Sequence, residues 1–395
     1  MKRVLLLLFI CYLASCSSVS KLSNENAFKS NLINVLEKSK AQYEYFAQVI
    51  PADKLPKSYQ NGRLIPCGTS DWVSGFYPGT LLFLSDHFKD KGLYNLALPK
   101  LNLLEKEQFN KRTHDIGFMM YCSFGNAIKI ESNQKYNEIL LNSAKSLASR
   151  YNPVVKSIRS WDSPPEDFLV IIDNLMNLEL LFWATKFSGD SSFYNIAVEH
   201  ANTTLKNHYR DNYSCYHVVN YDPKTGKVQW KKTHQGESDR SSWSRGQAWG
   251  LYGFTMLYRE TKDQRYLEQA NNIANYLMKE IKVLSDDYVP VWDFGADQRT
   301  QNYKDASAGA IIASALLELS DYNIKKRKEY INYSKNILST LISDKYFANY
   351  KQNGGFLLKH SVGSLPHNSE VDVPLTYADY YFIEGILRYL DLNKK

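Results

Sequence analysis

Apolar positions recur at helical spacing along most of the chain beyond residue 27, and alternating runs of the strand type are few. The pattern predicts about twelve helices, over 27–49, 77–90, 92–109, 116–130, 134–150, 171–188, 190–208, 244–261, 263–283, 306–321, 324–342 and 375–391. They are of two kinds. Odd-numbered members, such as the one holding Tyr194, Ala197 and His200, mix charge with apolar positions. Even-numbered ones, such as Ile171 to Trp183 and Gly246 to Leu257, are richer in apolar and small residues. A helix with one apolar stripe sits outside and one apolar all round sits inside, so the alternation predicts an outer and an inner ring. A toroid of six helical hairpins, an all-α (α/α)6 barrel, is the simplest solution. It makes 27–395 one domain, where length alone suggests two or three.

The inner helices share a second trait: each begins beside polar and aromatic residues. The starts read Asp71-Trp72-Val73-Ser74-Gly75-Phe76, His114-Asp115-Ile116-Gly117-Phe118, Ile172-Asp173-Asn174, Ser242-Trp243-Ser244-Arg245, Asp305-Ala306-Ser307 and Thr376-Tyr377-Ala378-Asp379. Any single Asp, Ser or Thr there reads first as a cap on orphan N–H groups. Six at matching ends of one ring converge on a single mouth. The insertions 50–76, 151–170, 209–243, 284–304 and 343–374 precede those starts and are expected to rim it.

The N-terminus reads differently. Met1-Lys2-Arg3, the apolar run Val4 to Leu13 and then Leu13-Ala14-Ser15-Cys16 form a secretory signal, too short to span a bilayer. Leu-Ala-Ser-Cys resembles the bacterial lipoprotein signature, in which 1–15 are removed and Cys16 is acylated. Residues 16–26 then form a polar tether. The absence of an acidic cluster after Cys16 favours a periplasm-facing anchor, on the inner leaflet of the outer membrane, as the expected location. Membrane contact is expected through that lipid alone.

Composition narrows the chemistry. With 44% hydrophobic and 23% charged residues, the 395-residue chain is an ordinary globular protein. Its 48 basic and 41 acidic residues are interspersed and give +7, about +5 without Lys2 and Arg3. No basic face suits nucleic acid. Cys67, Cys122 and Cys215 lack C-x-x-C spacing, so neither a disulfide framework nor a zinc site is expected, and they read as free thiols. There is no G-x-G-x-x-G, Walker loop or G-x-S-x-G, and His234-Gln-Gly-Glu237 lacks the second histidine of a zincin. No cofactor and no metal is expected. Asn220-Tyr-Asp222-Pro-Lys-Thr-Gly226 reads as a hairpin turn rather than a calcium loop.

What remains is acid–base work by carboxylates in an aromatic cleft. Aromatics reach 14%, with 29 Tyr and 7 Trp, more than packing alone calls for. Asp115 and Asp173 start adjacent inner helices. Asp173 is flanked by Ile171, Ile172 and Leu175, a setting that raises a carboxyl pKa. The bland alternative is a cap, and it is favoured for Asp71. Trp72, Trp243 and Trp249 are candidates to stack on sugar faces, with core packing as the alternative. Arg245 could fork onto a carboxylate.

Three motifs carry a family resemblance. His114-Asp115-Ile-Gly-Phe, Ile172-Asp173-Asn-Leu-Met-Asn177 and Ser241-Ser-Trp-Ser-Arg-Gly-Gln-Ala-Trp-Gly250 closely resemble glycoside hydrolase family 88, the unsaturated glucuronyl hydrolases, and the third is the most specific. The resemblance implies the (α/α)6 barrel independently of the hairpin count. It implies Asp115 and Asp173 as the two key aspartates, and Trp72, His217, Gln235, Trp243, Arg245 and Trp249 as sugar-binding positions, His217 and Gln235 lying in a loop. The implied substrates are short oligosaccharides of glycosaminoglycan type left by polysaccharide lyases, ending in a 4,5-unsaturated uronic acid. Such a ring is a vinyl ether. The family chemistry protonates C4 through Asp173, water captures C5, and the ring then opens and expels the neighbouring sugar, with Asp115 holding ring hydroxyls. Relatives that accept sulfated fragments hold the sulfate on two serines and a lysine. Here the comparable stretch is Ser361-Val-Gly-Ser364-Leu-Pro366, with proline where that lysine falls and Lys359 out of register. Two other readings compete: an unsaturated rhamnogalacturonyl hydrolase acting on pectin fragments, and a non-catalytic sugar-binding lipoprotein, which would not need two acidic helix starts.

Overall fold

The computed structural model describes residues 2–392, with side chains from residue 25 onward; the leader and Cys16 fall outside the described side chains. Amphipathic segments in the sequence become an outer layer of helices: α1 (Lys2–Val49), α3 (Lys91–Leu104), α5 (Gln134–Ala148), α7 (Ser191–Asn207), α9 (Gln264–Leu284) and α11 (Arg327–Leu341). On α9 the buried residues are Tyr266, Gln269, Ala270, Ile273, Ala274, Leu277, Met278 and Ile281, the i, i+3, i+4, i+7 stripe of a helix lying on a core. Four of these helices open on a side-chain cap, with Asp90, Asn133, Asp190 and Asp263 accepting from backbone N–H groups of the first turn.

The inner layer comprises α2 (Phe76–Phe88), α4 (Asn126–Ile130), α6 (Glu179–Ser188), α8 (Ser244–Thr261), α10 (Ala306–Leu319) and α12 (Thr376–Asp391). Every residue of α8 from Ser244 to Leu257 is buried. Each inner element packs on the next: α2 on 117–125, that segment on 172–177 and α6, then α8, α10 and α12, and α12 closes the ring on α2. Outer helices pair with inner ones as hairpins, α2 with α3, α6 with α7, α8 with α9 and α10 with α11. This is the (α/α)6 barrel that the alternation of helix types predicts. Among the described residues no helix is long and apolar enough to cross a membrane, and Cys67, Cys122 and Cys215 are free.

Two predicted inner helices differ at their starts. The one expected over 116–130 begins as a π-helix, Gly117–Gly125, and only then becomes α4. The one expected over 171–188 begins as a 3-10 turn, Ile172–Asn177, before α6. The cause is mutual crowding. A Cβ on Gly117 would lie 2.5 Å from Asn177 Cα, and Asn177 Oδ1 accepts the Phe118 N–H at 2.9 Å. The two segments press backbone to backbone, and neither keeps regular α geometry there.

The rim carries structure that periodicity did not show. Nine short strands form four small sheets within the insertions: β1 (Leu55–Gln60) with β2 (Arg63–Cys67), β3 (Tyr151–Asn152) with β4 (Ser157–Ile158), β5 (Phe168–Ile171) with β6 (Val218–Tyr221) and β7 (Val228–Lys232), and β8 (Ser361–Ser364) with β9 (Ser369–Val373). All pairings are antiparallel. The β6–β7 connection is the hairpin expected over 220–226, with Gly226 at φ +70° and Asp222 Oδ1 accepting the Lys224 N–H.

Candidate active site

The aspartates at the inner helix starts sort themselves by what their oxygens hold. Asp71 accepts the Val73 N–H and pairs with Lys57 at 3.1 Å. Asp305 caps α10 through Ser307 and Ala308. Asp379 receives the N–H groups of Leu357 and Leu358 and the Tyr43 hydroxyl. Asp115 and Asp173 cap nothing. Asp115 Oδ2 receives the Thr113 hydroxyl at 2.9 Å, and its Oδ1 lies 3.2 Å from His114 Nε2. Asp173 Oδ2 is buried with no hydrogen-bond partner. Burial, opposed by Arg245 and reinforced by Asp115, pushes the Asp173 carboxyl up to about 7. A carboxyl poised there exchanges protons near neutrality, as a general acid–base group must.

Most other motif residues build the frame. Asn174 donates to the Ile158 carbonyl at 2.9 Å, and Asn177 holds Phe118. His114 is buried and its Nδ1–H donates to the Ser160 carbonyl at 2.8 Å. Gln247 accepts the Cys215 N–H and donates to the Tyr213 carbonyl, clipping the loop that leads to His217. Gly246 lets the Trp243 ring lie against α8, since a Cβ there would sit 2.7 Å from Trp243 Cε3.

β5 and β6 bring His217 to Asp173. Ile171 pairs with Val218, and the Ile172 N–H continues the ladder to the His217 carbonyl at 3.0 Å. One residue on, His217 Nε2 stands 3.6 Å from Asp173 Oδ2. Gln235 reaches the same region from beyond β7, its side chain donating to the Gly363 carbonyl at 2.9 Å.

The expected stacking surface is corrected in two places. Trp249 has 0% of its surface exposed, enclosed by Phe118, Tyr377 and Tyr381. Trp243 is 4% exposed, with the Arg245 guanidinium 4.5 Å from its ring centroid and His217 at 4.6 Å. Both wall the site and offer no open face to a sugar. Trp72 is partly exposed and packs on Tyr377 at 4.8 Å. Arg245 reaches an internal carboxylate with one nitrogen only: Nη1 meets Asp305 Oδ2 at 2.9 Å and the Val362 carbonyl, and Nη2 the Gly363 carbonyl.

Those carbonyls belong to the β8–β9 hairpin, so Arg245 and Gln235 tie it over the mouth. Ser361 is fully buried with its hydroxyl unpartnered, and Ser364 is bonded to His367 Nδ1 at 2.7 Å. Lys359 points away, donating to the Asp344 carbonyl. Sequence reasoning missed three members of this wall: Trp161, which meets His234 at 4.9 Å, His367, which meets His234 at 4.4 Å, and Glu370. Each lies in an insertion between helices, where helical periodicity does not mark a residue as inward-facing. Among the described residues no group of His, Cys, Asp and Glu is placed to hold a metal ion.

Comparison with known proteins agrees with this frame. The profile of Glycosyl Hydrolase Family 88 matches residues 58–386. This chain belongs to that family. It is 47% identical over 331 residues to an unsaturated glucuronyl hydrolase of Formosa agariphila, covering 83% of this chain and 82% of the relative. An unsaturated chondroitin disaccharide hydrolase of Streptococcus agalactiae is 30% identical over 373 residues, 92% of this chain and 90% of that protein. In structure, an unsaturated glucuronyl hydrolase specific for heparin superposes with a TM-score of 0.90 at 44% identity, over 93% of this chain and 98% of the other.

Proposed function

We propose that this family 88 enzyme releases the 4,5-unsaturated uronic acid from the non-reducing end of lyase-generated, glycosaminoglycan-type oligosaccharides by hydrating the vinyl ether. The observation that carries the reading is Asp173: buried, capping nothing, held near pH 7 and facing a second uncapped aspartate. In its protonated form Asp173 delivers the proton to C4, and the C4–C5 π electrons form the new C–H bond. The oxocarbenium centre left at C5 takes a water molecule, whose proton returns to Asp173. The C5 hemiketal opens to a C5 ketone, leaving at C1 a hemiacetal that collapses to an aldehyde and expels the neighbouring sugar as the alcohol. Asp115, fixed by the Thr113 hydroxyl, holds ring hydroxyls and its charge supports the cation. Attack is not at the anomeric carbon, so the carboxylate separation that sorts retaining from inverting glycosidases does not govern this site. Trp72 offers the partly exposed ring. Trp243, Trp249, Arg245, His217 and Gln235 shape the pocket, and Ser361 and Ser364 lie on the β8–β9 hairpin that Arg245 and Gln235 hold. Membership of family 88 favours this reading over the pectin-directed one, and two uncapped aspartates favour it over a non-catalytic binder.

Loss of ultraviolet absorbance by the unsaturated uronide, followed across chondroitin, hyaluronan, heparin and pectin digests, tests the substrate class. In deuterated, oxygen-labelled water, NMR of the product is expected to place deuterium at C4 and the label at C5. Efficient cleavage of a saturated glucuronide, or a product without deuterium at C4, would reject the hydration route.

The N-terminal Leu13-Ala-Ser-Cys16 supports a lipid anchor at Cys16 after removal of the signal. That reading puts the enzyme on the periplasmic side of a bacterial membrane, where lyase products arrive.

A further inference from the structure

His217 is held by its neighbours in one protonation pattern. Its Nδ1 receives two backbone N–H groups, from His234 at 3.3 Å and from Gln235 at 3.2 Å. A backbone N–H can only donate, so Nδ1 carries no proton and the ring proton sits on Nε2. That nitrogen lies 3.6 Å from Asp173 Oδ2, and neither atom has a hydrogen bond within the protein, the Trp249 indole N–H being the other donor near the carboxyl. The histidine side chain is 1% exposed, so water does not compete for the position.

From this geometry we propose that His217 is a positioning residue for the acid: its Nε2–H faces Asp173 Oδ2, directs the transferable proton to Oδ1, and stabilises the carboxylate left after the proton is given up. The proposal rests on the hydration chemistry above and adds to it the choice of oxygen. Oδ2 faces a donor, so a proton on Oδ2 would meet the Nε2 proton head-on. On Oδ1 it is free to meet C4. Once C4 has taken the proton, Asp173 becomes an anion in an apolar wall, and Nε2–H closes on it. When the water at C5 gives up its proton, Oδ1 takes it and the cycle resets. No proton passes through the imidazole, which stays neutral throughout.

The charges around the pair agree with a neutral ring. Burial, with His234, Arg245, His208 and His114 behind it, holds the His217 imidazolium well below its ordinary range. On the carboxyl side stand Arg245 and Asp115, with Tyr377 and Cys215 kept neutral by burial. The ring proton therefore stays single across the working pH range, and its position is decided by the two N–H groups of 234 and 235.

Two measurements test this. Nitrogen-15 NMR of the intact wild-type protein is expected to show His217 as the neutral Nε2–H form with a hydrogen-bonded Nδ1, unchanged from about pH 5 to 8. An Nδ1–H form, or titration within that range, overturns the proposal whether or not any substrate is turned over. The second measurement compares His217→Asn with His217→Gln on the unsaturated disaccharide. Asparagine keeps an oxygen near the Nδ1 position and loses the distal donor, whereas glutamine can present an N–H near the Nε2 position. A donor lowers a carboxyl pKa, so its loss raises Asp173. The alkaline limb of kcat in His217→Asn is expected to move up by about one pH unit, with kcat about tenfold lower at the wild-type optimum. Glutamine restores much of both. A raised KM with the limb unmoved in His217→Asn would mean that His217 only binds sugar. Total absence of wild-type activity on unsaturated uronides counts against the proposed reaction but leaves the NMR result to stand or fall alone.

Discussion

At the scale of single residues, Asp173 is distinguished by what its environment withholds. A carboxyl whose folded pKa is about 7, against an ordinary value of 3.8, is protonated in the fold over a window where the unfolded chain has already released the proton. The folded state thus binds more protons between about pH 4 and 7, and stability falls as pH rises through that window. Asp173→Asn removes the ionisation. It is expected to melt higher than wild type at pH 8, with the gain shrinking towards pH 4, as calorimetry across pH would record. The same variant should lose about 10²–10⁴-fold in kcat while still binding the disaccharide, because an amide has no proton for C4. Wild-type kcat/KM should decline above about pH 7 as the free carboxyl ionises. An alkaline limb centred near pH 9 would remove Asp173 from the role.

Elements set the distances that the residues need. The Gly117–Asn177 contact joins the π-helical start of one inner element to the 3-10 start of the next; Asp115 lies two residues before the first and Asp173 within the second. Gly117→Ala puts a methyl group 2.5 Å from Asn177 Cα. Overpacking of this kind costs about 1–3 kcal/mol, and here the strain parts the two carboxylates. A fall in melting temperature together with a disproportionate fall in kcat is expected; an unchanged kcat would show that the spacing is not critical. The β8–β9 hairpin makes a second element-level case. Its turn has Pro366 instead of a lysine, and Glu370 Oε2 would lie 2.5 Å from a Cβ on Gly363, with Lys57 3.9 Å from the other oxygen. Glu370 stands beside Gly363, between the two serines in sequence, so a sulfate directed at Ser361 and Ser364 is expected to meet its carboxylate. Disaccharides sulfated at that point should be cut about tenfold more slowly than unsulfated ones, and Glu370→Gln should narrow the ratio. Equal rates in wild type would show that the hairpin does not read this position.

On the scale of the whole molecule, the barrel gathers six helix starts at one mouth, and the N-terminus bears on where that mouth works. Cys16→Ser is expected to shift the enzyme from the membrane fraction to soluble or unprocessed protein with activity per molecule retained. Mass spectrometry of the native protein beginning at an unmodified residue other than 16 would contradict the anchor.

The helix count and the two rings were legible in the sequence because they follow from local rules. A helix buried on all sides must be apolar on all sides, and a helix on the surface needs only a stripe. The flanks of Asp173 also spoke locally, since Ile171, Ile172 and Leu175 desolvate a carboxyl in any fold that buries them. What a side chain faces across the barrel was decided only by tertiary structure. Local pattern marked Asp71 as a cap, but it could not separate Asp305 and Asp379, which are consumed by backbone N–H groups and a tyrosine, from Asp115 and Asp173, which cap nothing. Nor could it show that Trp243 and Trp249 are enclosed, or that Arg245 spends its guanidinium on Asp305 and the hairpin carbonyls. His217 stands beside Asp173 because strands forty-seven positions apart in the chain pair in one register (Ile171 with Val218). Hydrophobic periodicity reports how much of a segment is buried. It carries no record of which distant atom completes a hydrogen bond, and in this site those bonds fix where the protons are.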